Sequence, residues 1–410
     1  MTERASRQKK VAFFGHFDSS NFGNESSLQA ILYHLRCFFP DSEVTCICTG
    51  PEATVATHHI DAIPISGNFL RSWMPRNPLT KILRKFCVAA FNEPYQWVKG
   101  FFTLRRTDIL IIPGTGLLTD AYGLLSWGPY GLFKWSMIAK LCRCKLALVS
   151  IGAGPIHTTP GRYLLKTILS LADFRSYRDS STVQFLESVG FRTDADEVYP
   201  DLAFSLPEAI IPRQNTRDGR RSVVGLGVME YPGRYSTPGE SNTIYSAYLE
   251  NLAQVVEWLL DRNYDVRLLS GDLSDMQARQ DFRRLLKERL SADDETHIFD
   301  EPVHSVEDVL SQIGATDIVV ATRFHNILLS FLCTKPVISI SFHHKCDSLM
   351  SAMGMSAYCL DMGKWEASSL IEKFQDIEKN SDRIKLLIRE KAQQFRENLD
   401  RQYELIFSTI

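Results

Sequence analysis

The chain has 410 residues, 44% hydrophobic and 23% charged, a balance that fits a folded globular protein and excludes a disordered or fibrous one. That length exceeds one ordinary hydrophobic core and reads as two domains. A net charge of −2 gives no field that would draw the protein to nucleic acid, no nucleic-acid module is present, and no apolar run is long enough to span a bilayer.

The basic N-terminus leads into a short apolar run that ends in a glycine-containing turn, which is not the pattern of a signal peptide. The nine cysteines lack paired spacing, and several lie inside apolar runs, so the sequence reads as one for a reducing compartment. Predicted strands then follow at 11–15, 43–48, 108–114, 145–152 and 173–179, with helical patterns between them, which implies a parallel sheet covered by helices. The first helix carries Leu28, Ile31, Leu32 and Leu35 on one stripe, continued by Phe38 or Phe39. Prolines, a glycine and a charge cluster over 206–221 mark a domain boundary. The alternation restarts with strands at 222–229, 264–270, 296–299, 317–322 and 335–341, and helices near 243–262, 274–291, 305–313 and from 324. The last fifty residues read as helix, with Ile384, Leu387, Ile388, Phe395, Leu399 and Tyr403 as apolar positions. The expected fold class is α/β: two Rossmann-like doubly wound domains facing a cleft, spanning 1–206 and 207–365, with a helical segment 366–410 packing across both.

Ligands in open α/β sheets bind outside the carboxyl ends of the strands, so polar residues that follow buried strands carry the functional signal. In DIVVATRFHN (317–326) a buried run ends in Thr322, Arg323 and His325 at a helix start, a pattern suited to anion binding and proton transfer. Taken alone, this R-x-H reads more readily as a surface ion pair beside a packed imidazole. After the next strand come His343, His344 and Lys345, the lysine able to hold a phosphate or carboxylate as a point charge. Arg178 follows a strand of the first half, beside Asp179, which reads as structural, with Ser180 or Ser181 as the expected cap of the next helix. Two glycine-containing turns, one with Asp18, Asn21, Asn24 and Glu25 and one with Gly114, Thr115, Gly116 and Asp120, let backbone approach a sugar or an anion. Neither is G-x-G-x-x-G, so nicotinamide binding is not expected. Asp194 and Asp196 have the D-x-D form but lack the flanking strand of a metal site, and no metal is expected. Residues 69–107 hold eight Lys or Arg against one acid, interleaved with aromatic side chains, as an interfacial helix on an anionic membrane does; an amphipathic helix with a solvated basic face gives the same pattern.

In series, the N-F-G-N-E turn, GTGLLTD, IGAGP (151–155), SYRDSS, PDLAF and TRFHNILLSFLCTKPVISISFHHK resemble the polysaccharide pyruvyl transferase family along nearly the whole chain. The resemblance implies two domains of glycosyltransferase-B type, the first on the acceptor side and the second on the donor side. It implies transfer from phosphoenolpyruvate to a sugar, giving a pyruvate ketal and phosphate without metal or cofactor. Arg323, Thr322, Lys345 and Arg178 would hold the donor, His325 would act as general acid, and Asp18, Asn21, Asn24, Glu25, Gly114, Thr115, Gly116 and Asp120 would face the acceptor. Family members usually carry aspartate where this chain has Asn24, so Glu25 or Asp18 would have to serve as base. The resemblance also implies a cytoplasmic enzyme, at the inner face of the membrane if its sugar acceptor is lipid-linked. The alternative is a glycosyltransferase of the same architecture that uses a nucleotide sugar, which would need a stacking slot for the base.

Overall fold

Runs such as Ile109–Pro113 and Val337–Ser341, buried along their whole length, can satisfy their backbone groups only inside a sheet covered on both faces. The computed structural model describes residues 8–18, 20–66, 92–114, 116–120, 123–124, 128–212, 221–231 and 238–409. Thr115, most of the basic stretch within 69–107, and part of the expected boundary at 206–221 lie outside the described residues.

Two compact units emerge, and neither is a continuous stretch of chain. The first comprises Met1–Asp18, Ile31–Asp201 and Arg401–Ile410; the second comprises Ser19–Ala30 and Leu202–Asp400. Residues 366–410 therefore form no separate body, and the opening turn after Asp18 joins the second unit.

The first unit holds β1 (Lys10–Gly15), β2 (Glu43–Cys48), β3 (Asp61–Pro64), β4 (Ile109–Pro113), β5 (Lys145–Ile151), β6 (Phe174–Tyr177) and β7 (Glu197–Val198). They form one parallel sheet in the order β3-β2-β1-β4-β5-β6-β7. Its helices are α1 (Phe22–Phe38, from Ile31 on), α2 (Pro51–His58), α3 (92–104), α4 (Pro129–Leu141), α5 (Thr159–Leu171) and α6 (Ser180–Ser188). The predicted stripe of α1 is buried at Leu28, Ile31, Leu32 and Leu35. Phe38 is half exposed and packs on Phe407, with ring centroids 5.0 Å apart.

The second unit holds β8 (Val223–Gly227), β9 (Asp265–Leu269), β10 (Ile298–Phe299), β11 (Ile318–Ala321), β12 (Val337–Ser341) and β13 (Cys359–Asp361), parallel in the order β10-β9-β8-β11-β12-β13. Around it lie α7 (Pro238–Leu260), α8 (Met276–Arg289), α9 (Ala292–Glu295), α10 (Val306–Gly314), α11 (Phe324–Leu332), α12 (His344–Ala352), α13 (Ala367–Lys379) and α14 (Ser381–Ser408, to Asp400). A reciprocal Ser305–Asp308 capping box starts α10. On α14, Ile384, Ile388 and Leu399 are buried, and Phe395 packs edge-on against Phe204 at 5.0 Å. No helix among the described residues is long and apolar enough to cross a membrane.

Candidate active site

Both sheets reverse their strand order beside their first strand, and in the second unit that point lies between β8 and β11. Thr322 leaves β11 fully buried, its hydroxyl donating to the Gly227 carbonyl at 3.4 Å. Arg323 takes the N-cap position of α11 and contributes no side-chain acceptor to the first turn, whose amides can therefore face an anion.

Arg323 turns toward the loop after β9. Its Nε donates to Asp275 Oδ2 at 2.7 Å and its Nη2 to the second oxygen, a bidentate pair with a carboxylate that is 2% exposed. Burial opposes the charge on Arg323, but the hydrogen bonds and charge of Asp275 outweigh it and raise the guanidinium above its ordinary value. Arg323 is thus a held cation, paired as the plainer reading of R-x-H expects, though with a buried carboxylate and not a surface one.

His325 lies in the first turn of α11, with the Phe324 ring edge-on at 5.0 Å. Its other neighbour is the backbone of Gly23: a Cβ built there would sit 1.9 Å from His325 Nδ1. The N-F-G-N-E glycine is needed because the imidazole occupies the space a side chain would fill. Asn21 fixes that turn, its Oδ1 accepting from Gly23 N and Asn24 N at 3.1 Å each, its Nδ2 donating to Asp272 Oδ2 at 2.7 Å. Leu273 N donates to Ser20 O at 2.9 Å alongside. The SGDLSD turn (270–275) therefore holds both Arg323, through Asp275, and the glycine beneath His325, through Asp272. Next to it, Asn326 is 1% exposed between Gly227 and Gly271, where a Cβ would come within 3.3 Å and 2.4 Å of its amide.

The third loop follows β12. His343 caps α12 with Nδ1 accepting from Lys345 N at 3.3 Å, and its ring lies 4.1 Å from that of His344. Cys346 Sγ contacts Thr322 O at 3.9 Å, joining this loop to the one that bears His325. Lys345 is half-buried in the first turn of α12.

A second cluster forms in the first unit. Arg178 is 9% exposed; its Nη1 meets Asp201 Oδ2 at 3.1 Å and its Nε lies 3.6 Å from Asp179. Gly152 makes room for it, since a Cβ there would be 2.9 Å from Arg178 Nη2. The arginine after the strand is thus buried among two carboxylates. Asp179, not Ser180 or Ser181, caps α6, accepting from Thr182 N at 2.7 Å. Burial pushes its carboxyl up, but Arg178 and the Ser181 and Thr182 donors hold it below the usual range. A depressed folded-state pKa gives stability that is present above the unfolded value near 3.9 and lost as pH falls through the folded value. Asp179→Asn should therefore cost about 1 kcal/mol near neutral pH, with the gap to wild type closing as pH falls below about 4 in urea titrations; a constant gap would refute the assignment.

The residue-21–344 stretch matches the model of the family described as polysaccharide pyruvyl transferase. The chain belongs to the polysaccharide pyruvyl transferase family. Along 94% of its length it is similar to the amylovoran biosynthesis protein AmsJ of Erwinia amylovora, 19% identical over 96% of that protein. In fold it is similar to S. aureus MnaA solved with UDP (TM-score 0.59, 12% identity, 98% of each chain). Anabaena HepE in complex with UDP is similar too (TM-score 0.60, 12% identity, 98% of this chain and 100% of that one). So is the UDP-GlcNAc 2-epimerase of Neisseria meningitidis (TM-score 0.58, 11% identity, 98% and 99%). The fold is thus of the glycosyltransferase-B-like kind, and the family is one of transferases in polysaccharide biosynthesis.

The motifs that suggested the family collapse into two clusters. N-F-G-N-E meets TRFHN and the HHK loop's neighbour Thr322 in the second unit, whereas Leu118–Asp120 of GTGLLTD, IGAGP, SYRDSS and Pro200–Asp201 of PDLAF lie in the first. There, Leu118 bridges Ala153, and Thr119 donates to the Pro155 carbonyl at 2.9 Å. Asp120 accepts from His157 N, Thr158 N and Thr158 Oγ1, which pins the start of α5. The set expected to face the acceptor is therefore divided: Asn21, Asn24 and the buried Glu25 lie in the second unit, and Asp18, Gly114, Gly116 and Asp120 in the first. Asp272, Asp275, Asn326, Gly227 and Gly271 went unread in the sequence, although polar SGDLSD directly after the buried run of β9 was a signal of the same kind as TRFHN. Asp196 is taken by Arg175 and Tyr177, at 2.9 Å and 2.7 Å. Among the described residues no cluster of His, Cys, Asp or Glu has the form of a metal site.

Proposed function

We propose that the chain transfers the carbon skeleton of phosphoenolpyruvate to a sugar that bears two neighbouring hydroxyls, giving a cyclic pyruvate ketal and inorganic phosphate. The observation that carries this reading is the imidazole of His325 held flat against Gly23 at the start of α11, beside amides with no side-chain cap and a fixed arginine. We assign the donor chemistry to residues of the second unit alone. The first-turn amides of α11 and Lys345 receive the phosphate and carboxylate, while Arg323, whose Nε and Nη2 are taken by Asp275, orients that edge. His325 delivers a proton to the methylene carbon as one hydroxyl adds to C2, and the proton that this hydroxyl loses restores the imidazole. Phosphate then leaves with the C–O electron pair, and the second hydroxyl closes the ketal, its proton passing to phosphate. Atoms balance without a redox partner.

We infer that the reaction takes place in the cytoplasm. In support, the cysteines of the described residues are free thiols, as a reducing compartment keeps them. The test is phosphate release from phosphoenolpyruvate with nucleotide-linked, lipid-linked and oligosaccharide sugars. Acceptor-dependent release is expected. Turnover of a nucleotide sugar that is indifferent to phosphoenolpyruvate would instead make the protein a glycosyltransferase. Lys345→Ala should raise KM for phosphoenolpyruvate roughly 10–100-fold, the loss of one charge-assisted contact, with a smaller change in kcat.

A further inference from the structure

Helix α3 is apolar on two opposite sides. One side faces the core of the first unit: Leu104 is fully buried, Trp97 packs on the core, and Gly100 lies so close to Ile138 that a Cβ would come within 2.7 Å of it. At helical spacing the opposite side carries Tyr95, Val98 and Phe102, with Phe101 beside them. Val98 is 55% exposed and Phe102 57%. The Cys142 thiol reaches the Phe101 carbonyl at 3.5 Å, which brings Leu141, 61% exposed, to the same patch. An amphipathic helix has no folding reason for this second stripe, since the first already buries it against the sheet.

Cations flank the patch. Lys99, Arg105 and Arg106 belong to α3 and the turn that ends it, Arg143 follows Cys142, and residues 94–107 contain no carboxylate. The acids that flank it are engaged: Glu93 by Lys134 at 3.1 Å and the Tyr130 hydroxyl at 2.6 Å, Asp108 by the Lys10 amide at 2.8 Å, and Asp173 by Lys140 at 2.8 Å. Arg105 lies over the Phe102 ring at 4.8 Å, so its stem covers apolar surface while its head stays in water.

We propose that this outward face of α3 docks on an anionic lipid bilayer. Phe and Val side chains enter the boundary between headgroups and acyl chains, Tyr95 lies at headgroup level, and the four cations meet anionic headgroups. A neutral apolar partner would leave those cations without counter-charges, and a second copy of this face would set like charges against each other.

The test is co-sedimentation of the full chain with vesicles of phosphatidylcholine alone or with about 30% phosphatidylglycerol. Binding is expected only to the anionic vesicles, and to weaken steeply with salt. Arg105→Gln with Arg106→Gln should weaken it roughly 30-fold, at about fivefold per cation. Val98→Ser with Phe102→Ser should abolish it while far-UV circular dichroism and the thermal midpoint match wild type. Equal binding by the charge variant and wild type, or no vesicle binding by wild type, would overturn the proposal. So would a concentration-dependent dimer in sedimentation velocity that the serine variant abolishes. None of these readouts depends on the reaction proposed above.

Discussion

An enzyme carrying His325→Gln should lose roughly 10²–10⁴-fold in kcat while KM for phosphoenolpyruvate stays within about threefold, because a general acid acts in the transition state and not in the bound ground state. Glutamine keeps a polar side chain of similar reach against Gly23 but cannot give up a proton at neutral pH. The matched variant is Gly23→Ala, which leaves the imidazole in the chain and removes its resting place, since the new methyl would lie 1.9 Å from Nδ1. The ring must swing away or the first turn of α1 must shift, at a cost of about 1–3 kcal/mol. A drop of roughly 10²-fold in kcat is expected, together with displaced His325 ring-nitrogen resonances in NMR. If Gly23→Ala keeps wild-type turnover and His325→Gln loses it, the glycine is a packing detail. If His325→Gln is fully active, the assignment of the acid is wrong.

The second large effect concerns stability. Arg323→Gln leaves the Asp275 carboxylate buried without its cation, and such half-broken pairs cost about 3–5 kcal/mol. Arg323 is a quarter exposed, so about 3 kcal/mol is the expectation. Asp275→Asn alone should cost less, because it leaves the cation at the solvent-facing side of the pair. The double variant should recover about half of the loss, and urea unfolding that reports the second unit separately would measure it. A loss below about 0.5 kcal/mol in Arg323→Gln would mean that the pair is solvated and gives no support to the loop under His325.

Much of the architecture was legible because the long buried strands are unbroken apolar runs, and their spacing sets the helices between them. The three strands that escaped notice, Asp61–Pro64, Glu197–Val198 and Cys359–Asp361, all lie at sheet edges and are too short for any period to show. At the site, His325 could be read because it follows DIVVA directly. What it touches could not, because Gly23 lies some three hundred positions earlier and a glycine announces a tight turn before it announces a neighbour. Arg178 was misplaced for a related reason. A cation after a strand looks exposed until the carboxylate that buries it, here Asp201, is found on a distant segment. Charge pairing across loops leaves no periodic trace.

The early residues that serve the second unit also constrain how the protein is made. Asn21 leaves the ribosome 251 positions ahead of Asp272, the partner that fixes it, and until that partner arrives the turn around Gly23 has nothing to close upon. A fragment begun at Leu202 would carry His325, Arg323 and Lys345, yet lack the floor on which the imidazole rests. Supplying residues 19–30 in trans, or grafting them by circular permutation, would show whether this short loan of chain is what makes the second half competent.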